Sequence, residues 1–126
     1  MLSNIHRIFD PTGVLIPVLL QAKLLMRATW IEKGVGWDDP LSPELCTQWL
    51  TFLESLLALG DVVVPRSLWP DEEVEGLPVL VVFTDGAALA FGAVAYIRWK
   101  LVSGGYWSRL IMAKGKIAPK RIVSIP

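Results

Sequence analysis

The chain has 126 residues, 53% of them apolar, including six Trp; this suffices for one domain, or for a small helical piece joined to part of another, and excludes global disorder. A single cysteine, Cys46, excludes an intrachain disulfide and fits a reducing compartment, where it serves as a small residue on a helix. Twelve bases balance twelve acids, but residues 86–126 hold seven of the bases and none of the acids.

The N-terminus, Met1 to Asp10, is polar and mixed, unlike a signal peptide. Phe9-Asp10-Pro11-Thr12-Gly13 is a turn signal. The pattern then predicts a helix from Pro17 to about Lys33, with Gly34 as its cap. Gln21, Lys23 and Arg27 interrupt its apolar residues, so it reads as a largely buried helix rather than a membrane span. A loop follows around Trp37-Asp38-Asp39-Pro40.

The next helix has the clearest signals. Ser42 is a good N-cap, Pro43 suits the first helical position, and Gly60 is expected just past the end. Leu45, Trp49, Phe52, Leu53, Leu56 and Leu57 recur at three- and four-residue spacing and predict one apolar face. Val62-Val63-Val64 reads as a short extended piece, and Asp71, Glu72, Glu73 and Glu75 as an exposed acidic linker.

Beyond the linker the pattern turns extended. Val79–Phe83 predicts a buried strand with neighbours on both sides, ending at Thr84-Asp85-Gly86. Phe91–Lys100 and Tyr106–Met112 predict an antiparallel hairpin turned at Ser103-Gly104-Gly105. Residues from Lys114 to Pro126 read as a basic tail. Three strands need more cover than these elements supply, which hints at a truncated domain.

Asp85 is the candidate site residue. A carboxylate closing an apolar strand is costly unless a cation pairs with it, and Mg²⁺ prefers carboxylate oxygens. Gly86 would let another backbone or a nucleic acid approach closely. The competing reading is an ordinary Asp-Gly turn. The bases Arg98, Lys100, Arg109, Lys114, Lys116, Lys120 and Arg121 suggest a polyanion contact or, equally, a solvated face whose acidic complement lies elsewhere. Trp99 and Trp107 are expected to pack, with stacking on nucleic acid as the alternative. His6 has neither a second His nor a thiol cluster to work with.

Phe83-Thr84-Asp85-Gly86-Ala87, followed by Phe91-Gly92-Ala93-Val94-Ala95-Tyr96 and a hairpin, resembles the opening of a ribonuclease H domain. Four flanking segments sharpen this. Arg7-Ile8-Phe9-Asp10-Pro11-Thr12-Gly13, Trp37-Asp38-Asp39-Pro40-Leu41, Val64-Pro65-Arg66 and Ala113-Lys114-Gly115-Lys116-Ile117-Ala118-Pro119 resemble, in order, motifs of BEL/Pao retrotransposon polyproteins. Thr12, Gly86-Ala87 and Gly115 depart from the family pattern.

The resemblance implies an α+β fold. Residues 1–76 would be a helical segment like a polymerase thumb and connection, and residues 77–126 the first three strands of a truncated ribonuclease H-like sheet. It implies a parent that degrades the RNA strand of RNA–DNA hybrids with two Mg²⁺ ions held by about four carboxylates. Asp85 would be the catalytic metal ligand, with Gly86, Arg98, Lys100, Lys114 and Lys116 facing nucleic acid. Nothing acidic follows Asp85, so this chain is expected to bind no metal stably and to be inactive alone. The implied partners are a hybrid, weakly held, and the rest of the Pol polyprotein, in the cytoplasm or nucleus and away from membranes. The alternative is a non-catalytic remnant or interaction protein. Asp-Pro-Thr-Gly at 10–13 and Thr-Asp-Gly at 84–86 do not match the Asp-Thr-Gly of aspartic peptidases, so peptidase chemistry is not expected.

Overall fold

The computed structural model describes residues 8–31, 36 and 38–119. Expectations for His6, Gly34, Trp37, Lys120 and Arg121 lie outside them. The fold is α+β. Helix α1 (Ile16–Ile31) and helix α2 (Pro43–Ser55) precede a 3-10 turn (Leu56–Asp61); strands β1 (Val74–Gly86), β2 (Ala90–Leu101) and β3 (Tyr106–Ile117) follow. The chain forms two compact units: a helical one containing Pro17–Val64, and a sheet one combining Asp10–Ile16 with the chain from Pro65 onward.

In the helical unit Ser42 caps α2, its Oγ accepting the Leu45 N–H at 3.4 Å, and Pro43 opens the helix. Leu45, Trp49 and Phe52 are buried, the last two meeting edge to face with ring centroids 5.9 Å apart. Val18, Leu19, Leu25 and Met26 of α1 pack around Ala22, Trp49 and Phe52. Ala22 is the one α1 residue fully inside, so this helix is mostly half-buried rather than largely buried. The expected face of α2 is also narrower, because Leu53 and Leu57 are exposed. Gly60 lies within the 3-10 turn, which tightens the chain before the glycine can act as a cap. Cys46 is exposed on α2.

In the sheet unit the strand order is β1-β2-β3, antiparallel throughout. Gly104 (φ 97°) and Gly105 (φ 83°) make the β2–β3 turn, in a region of backbone space costly to other residues. Three sequence expectations are corrected. First, among the described residues β1 is an edge strand, hydrogen-bonded to β2 alone, so Val79, Leu80, Val82 and Phe83 are more than half exposed rather than buried between neighbours. A continuous apolar run records hydrophobicity, not which strands flank it. Second, the acidic linker is shorter than expected. Strand β1 begins at Val74, and Glu75 lies within it, opposite Lys100 and paired with it at 2.7 Å. Third, β3 runs on to Ile117, so Lys114 and Lys116 belong to a strand and not to a tail.

The Asp10–Ile16 turn docks on β3. Asp10 Oδ2 accepts the Leu15 N–H at 2.9 Å, the Gly13 carbonyl accepts the Ile16 N–H at 3.1 Å, and the Thr12 carbonyl accepts the Ala113 N–H at 2.7 Å. Gly13 is buried at φ 78°. On the other side of the turn Ile16 lies over Gly115, where a Cβ would come within 2.7 Å of its Cγ2. At the far end of the sheet Trp99 is 4% exposed, tilted against Trp69 at 4.1 Å, and donates from Nε1 to the Leu68 carbonyl at 2.9 Å.

Candidate nucleic-acid interface

The register sets which residues share a face. Thr84, Ala93 and Lys114 form one row across the three strands; Asp85, Gly92 and Gly115 form the next; Gly86, Phe91 and Lys116 form the third. Residues paired across a sheet point the same way, and successive rows point oppositely. The Asp85 row therefore faces one side, and both lysine rows face the other. Around this end of the sheet opens a groove of about 510 Å³ lined by all these residues except Gly115.

Of the six sequence-predicted site residues, the groove brings together Asp85, Gly86, Lys114 and Lys116. Arg98 and Lys100 lie apart, towards the β2–β3 turn and on the Asp85 face. Arg98 sits 3.7 Å above the ring of Tyr106, and Lys100 is bound to Glu75. Glu75, first by its hydrogen bond and then by its charge, raises the Lys100 pKa above its usual 10.5. Lys114 and Lys116 are exposed and make no ion pair with another described residue. Thr84, Phe91, Gly92 and Ala93 also line the groove. Counting pairs across the hairpin could have found the last three; composition could not.

Asp85 is exposed, and its Oδ1 accepts the Gly86 N–H at 2.9 Å, the contact of a turn residue. Gly92 and Gly115 continue its row without side chains: the carboxylate stands beside the bare backbone of Gly92, and Ile16 covers Gly115 beyond it. Among the described residues no three His, Cys, Asp or Glu side chains gather as metal ligands. Two cations held for hydrolysis need several carboxylates; the described residues do not fit such a pair, and no hydrolytic step is assigned to them. Asp38 and Asp39 are exposed in a loop, where Asp39 Oδ2 accepts the Gly36 N–H. No helix among the described residues is long and apolar enough to cross a membrane.

Helices followed by a strand that closes on Thr-Asp-Gly, and by a hairpin that lays two further strands antiparallel to it, agree with a ribonuclease H-like α+β architecture. The chain belongs to the family described as Pao retrotransposon-like RNaseH-like domain, which matches it over residues 1–126. Neither a curated protein nor a solved structure matches it.

Proposed function

We propose that this chain serves within a retroelement polyprotein as part of the apparatus that handles RNA–DNA hybrids, and that the open end of its sheet faces the sugar–phosphate backbone. The helical unit acts as a thumb- and connection-like segment, and the three strands begin the ribonuclease H-like sheet. The complete domain degrades the RNA strand, and Asp85 is the carboxylate this chain offers to its Mg²⁺ site. The observation that carries the reading is the groove, where Lys114 and Lys116 stand exposed beside Gly86 and Asp85. Two ammonium groups without an acidic partner among the described residues attract phosphate, and a glycine at the rim lets a backbone come close. The setting is a retroelement particle in the cytoplasm, or the nucleus.

Titration of a labelled RNA–DNA hybrid across a salt series tests this. Binding should be weak, on the order of 10⁻⁴–10⁻⁶ M, and should weaken steeply with salt. Replacing Lys114 and Lys116 together with Ala should flatten the log–log slope by roughly 2, at about 0.9 per lost phosphate contact, without altering sequence preference. Absence of binding at low salt, or binding indifferent to salt, would remove nucleic acid from the partners and favour a non-catalytic remnant.

A further inference from the structure

The sheet sorts its charges by face. Glu75, Asp85, Arg98 and Lys100 fall on one side, where Lys100 is paired with Glu75 and Arg98 lies on Tyr106. The opposite side carries Arg109, Lys114 and Lys116 of β3 and no acid from any strand. Simple alternation along β3 would not give this result. Arg109 and Lys114 are an odd number of residues apart, so in a regular strand they would point to opposite faces. A β-bulge intervenes: Tyr96 pairs with Leu110 and Ala95 with Met112, leaving Ile111 as the extra residue. The inserted residue restores Arg109 to the lysine face, as bulges re-aim the side chains beyond them.

Beside these cations β2 presents Ala93 and Ala95, both small, and Phe91, which is 46% exposed. The guanidinium of Arg109 lies 4.7 Å from the centroid of the Trp107 ring, which holds it in place, and its Nε is buried without a hydrogen-bond partner among the described residues. Lys116 and Lys114, two positions apart on one strand, stand about 7 Å from each other, and Arg109 lies further along the same face beyond the exposed Met112.

We infer that Arg109, Lys114 and Lys116 form a linear track for the sugar–phosphate backbone of a nucleic acid, extending the lysine-lined side of the groove along β3, and that the Ile111 bulge puts Arg109 on it. The inference rests on the proposed hybrid-facing role of the groove. Cations spaced along one strand suit a linear polyanion better than a flat lipid surface, and the exposed ring of Phe91 offers a base a stacking platform.

The test compares Arg109→Met, Arg109→Lys and the Lys114→Ala/Lys116→Ala double variant in full-length chain, with a 20-base-pair RNA–DNA hybrid as the probe. The unaltered chain should show a log–log salt slope of about −3, Arg109→Met about −2, and Arg109→Lys a return to about −3. If Arg109→Met keeps the original slope while the double lysine variant flattens it, the track is overturned and the groove reading stands. If Arg109→Lys fails to restore the slope, Arg109 acts by packing on Trp107 and the track is again overturned. If the unaltered chain does not bind hybrid, both readings fall. Polyglutamate or phosphatidylserine vesicles binding as tightly as hybrid would also overturn the nucleic-acid assignment.

Discussion

Gly13 meets Ala113 so closely that a Cβ on Gly13 would fall on the Ala113 carbonyl oxygen. Its φ of 78° adds a second reason for glycine there. Gly13→Ala should destabilise the chain by about 3 kcal/mol, combining left-handed backbone strain with overpacking. Urea denaturation followed by tryptophan fluorescence measures this. A change below about 0.5 kcal/mol, the level of an ordinary surface substitution, would show that the turn does not rest on β3 as described.

Trp99→Phe should cost about 1–3 kcal/mol, because the Leu68 carbonyl loses the donor that satisfies it. Hybrid binding should be unchanged, since a ring 4% exposed and covered by Trp69 cannot stack on a base. Weaker binding by a Trp99→Phe chain that is still folded by circular dichroism would restore the stacking alternative.

Lys100 holds its proton more firmly in the folded chain than its usual 10.5, through the hydrogen bond from its ammonium to Glu75. A raised folded pKa means that the stabilising effect is complete below the unfolded value and is lost as pH rises through the folded one. The window therefore lies above pH 10.5. Glu75→Gln should return Lys100 towards its ordinary pKa in a side-chain NMR titration, with little change in melting temperature at neutral pH because the pair is exposed.

The purified chain should not cleave RNA in a hybrid supplied with Mg²⁺ or Mn²⁺. Asp85 alone cannot position two cations. Cleavage that requires metal and disappears in Asp85→Asn would show that residues outside those described complete a working site.

Local features were legible in the sequence where local chemistry decides them. Ser42 and Pro43 begin α2 because a hydroxyl acceptor and an imino acid suit a helix start in any context. Gly104 and Gly105 turn the hairpin because positive φ costs them nothing. Features set by distant partners were not legible. Nothing near Val79–Phe83 reveals that β2 is its one neighbour among the described strands. Lys114-Gly115-Lys116 resembles a tail until β2 pairs with it, and Asp10–Ile16 gives no sign of its partner Ala113. The site divides the same way. The place of Asp85 and Gly86 at the end of a strand was legible from the apolar run before them. Arg98 and Lys100 could not be told apart from Lys114 and Lys116 by charge, because what separates them is the face each occupies and the partners waiting there.

The docking of the Thr12 carbonyl on the Ala113 amide has a bearing on how the protein is made. These groups are separated by about 100 residues, a loop whose closure carries an entropic penalty that only the finished sheet can offset. At ribosomal speeds of about 5–20 residues per second, Asp10–Ile16 emerges on the order of 5–20 s before the strand edge it is to cover. The first-made part of the sheet unit is thus among the last to be used, and during that interval the nascent chain must keep this turn available while α1 and α2 fold between its two halves.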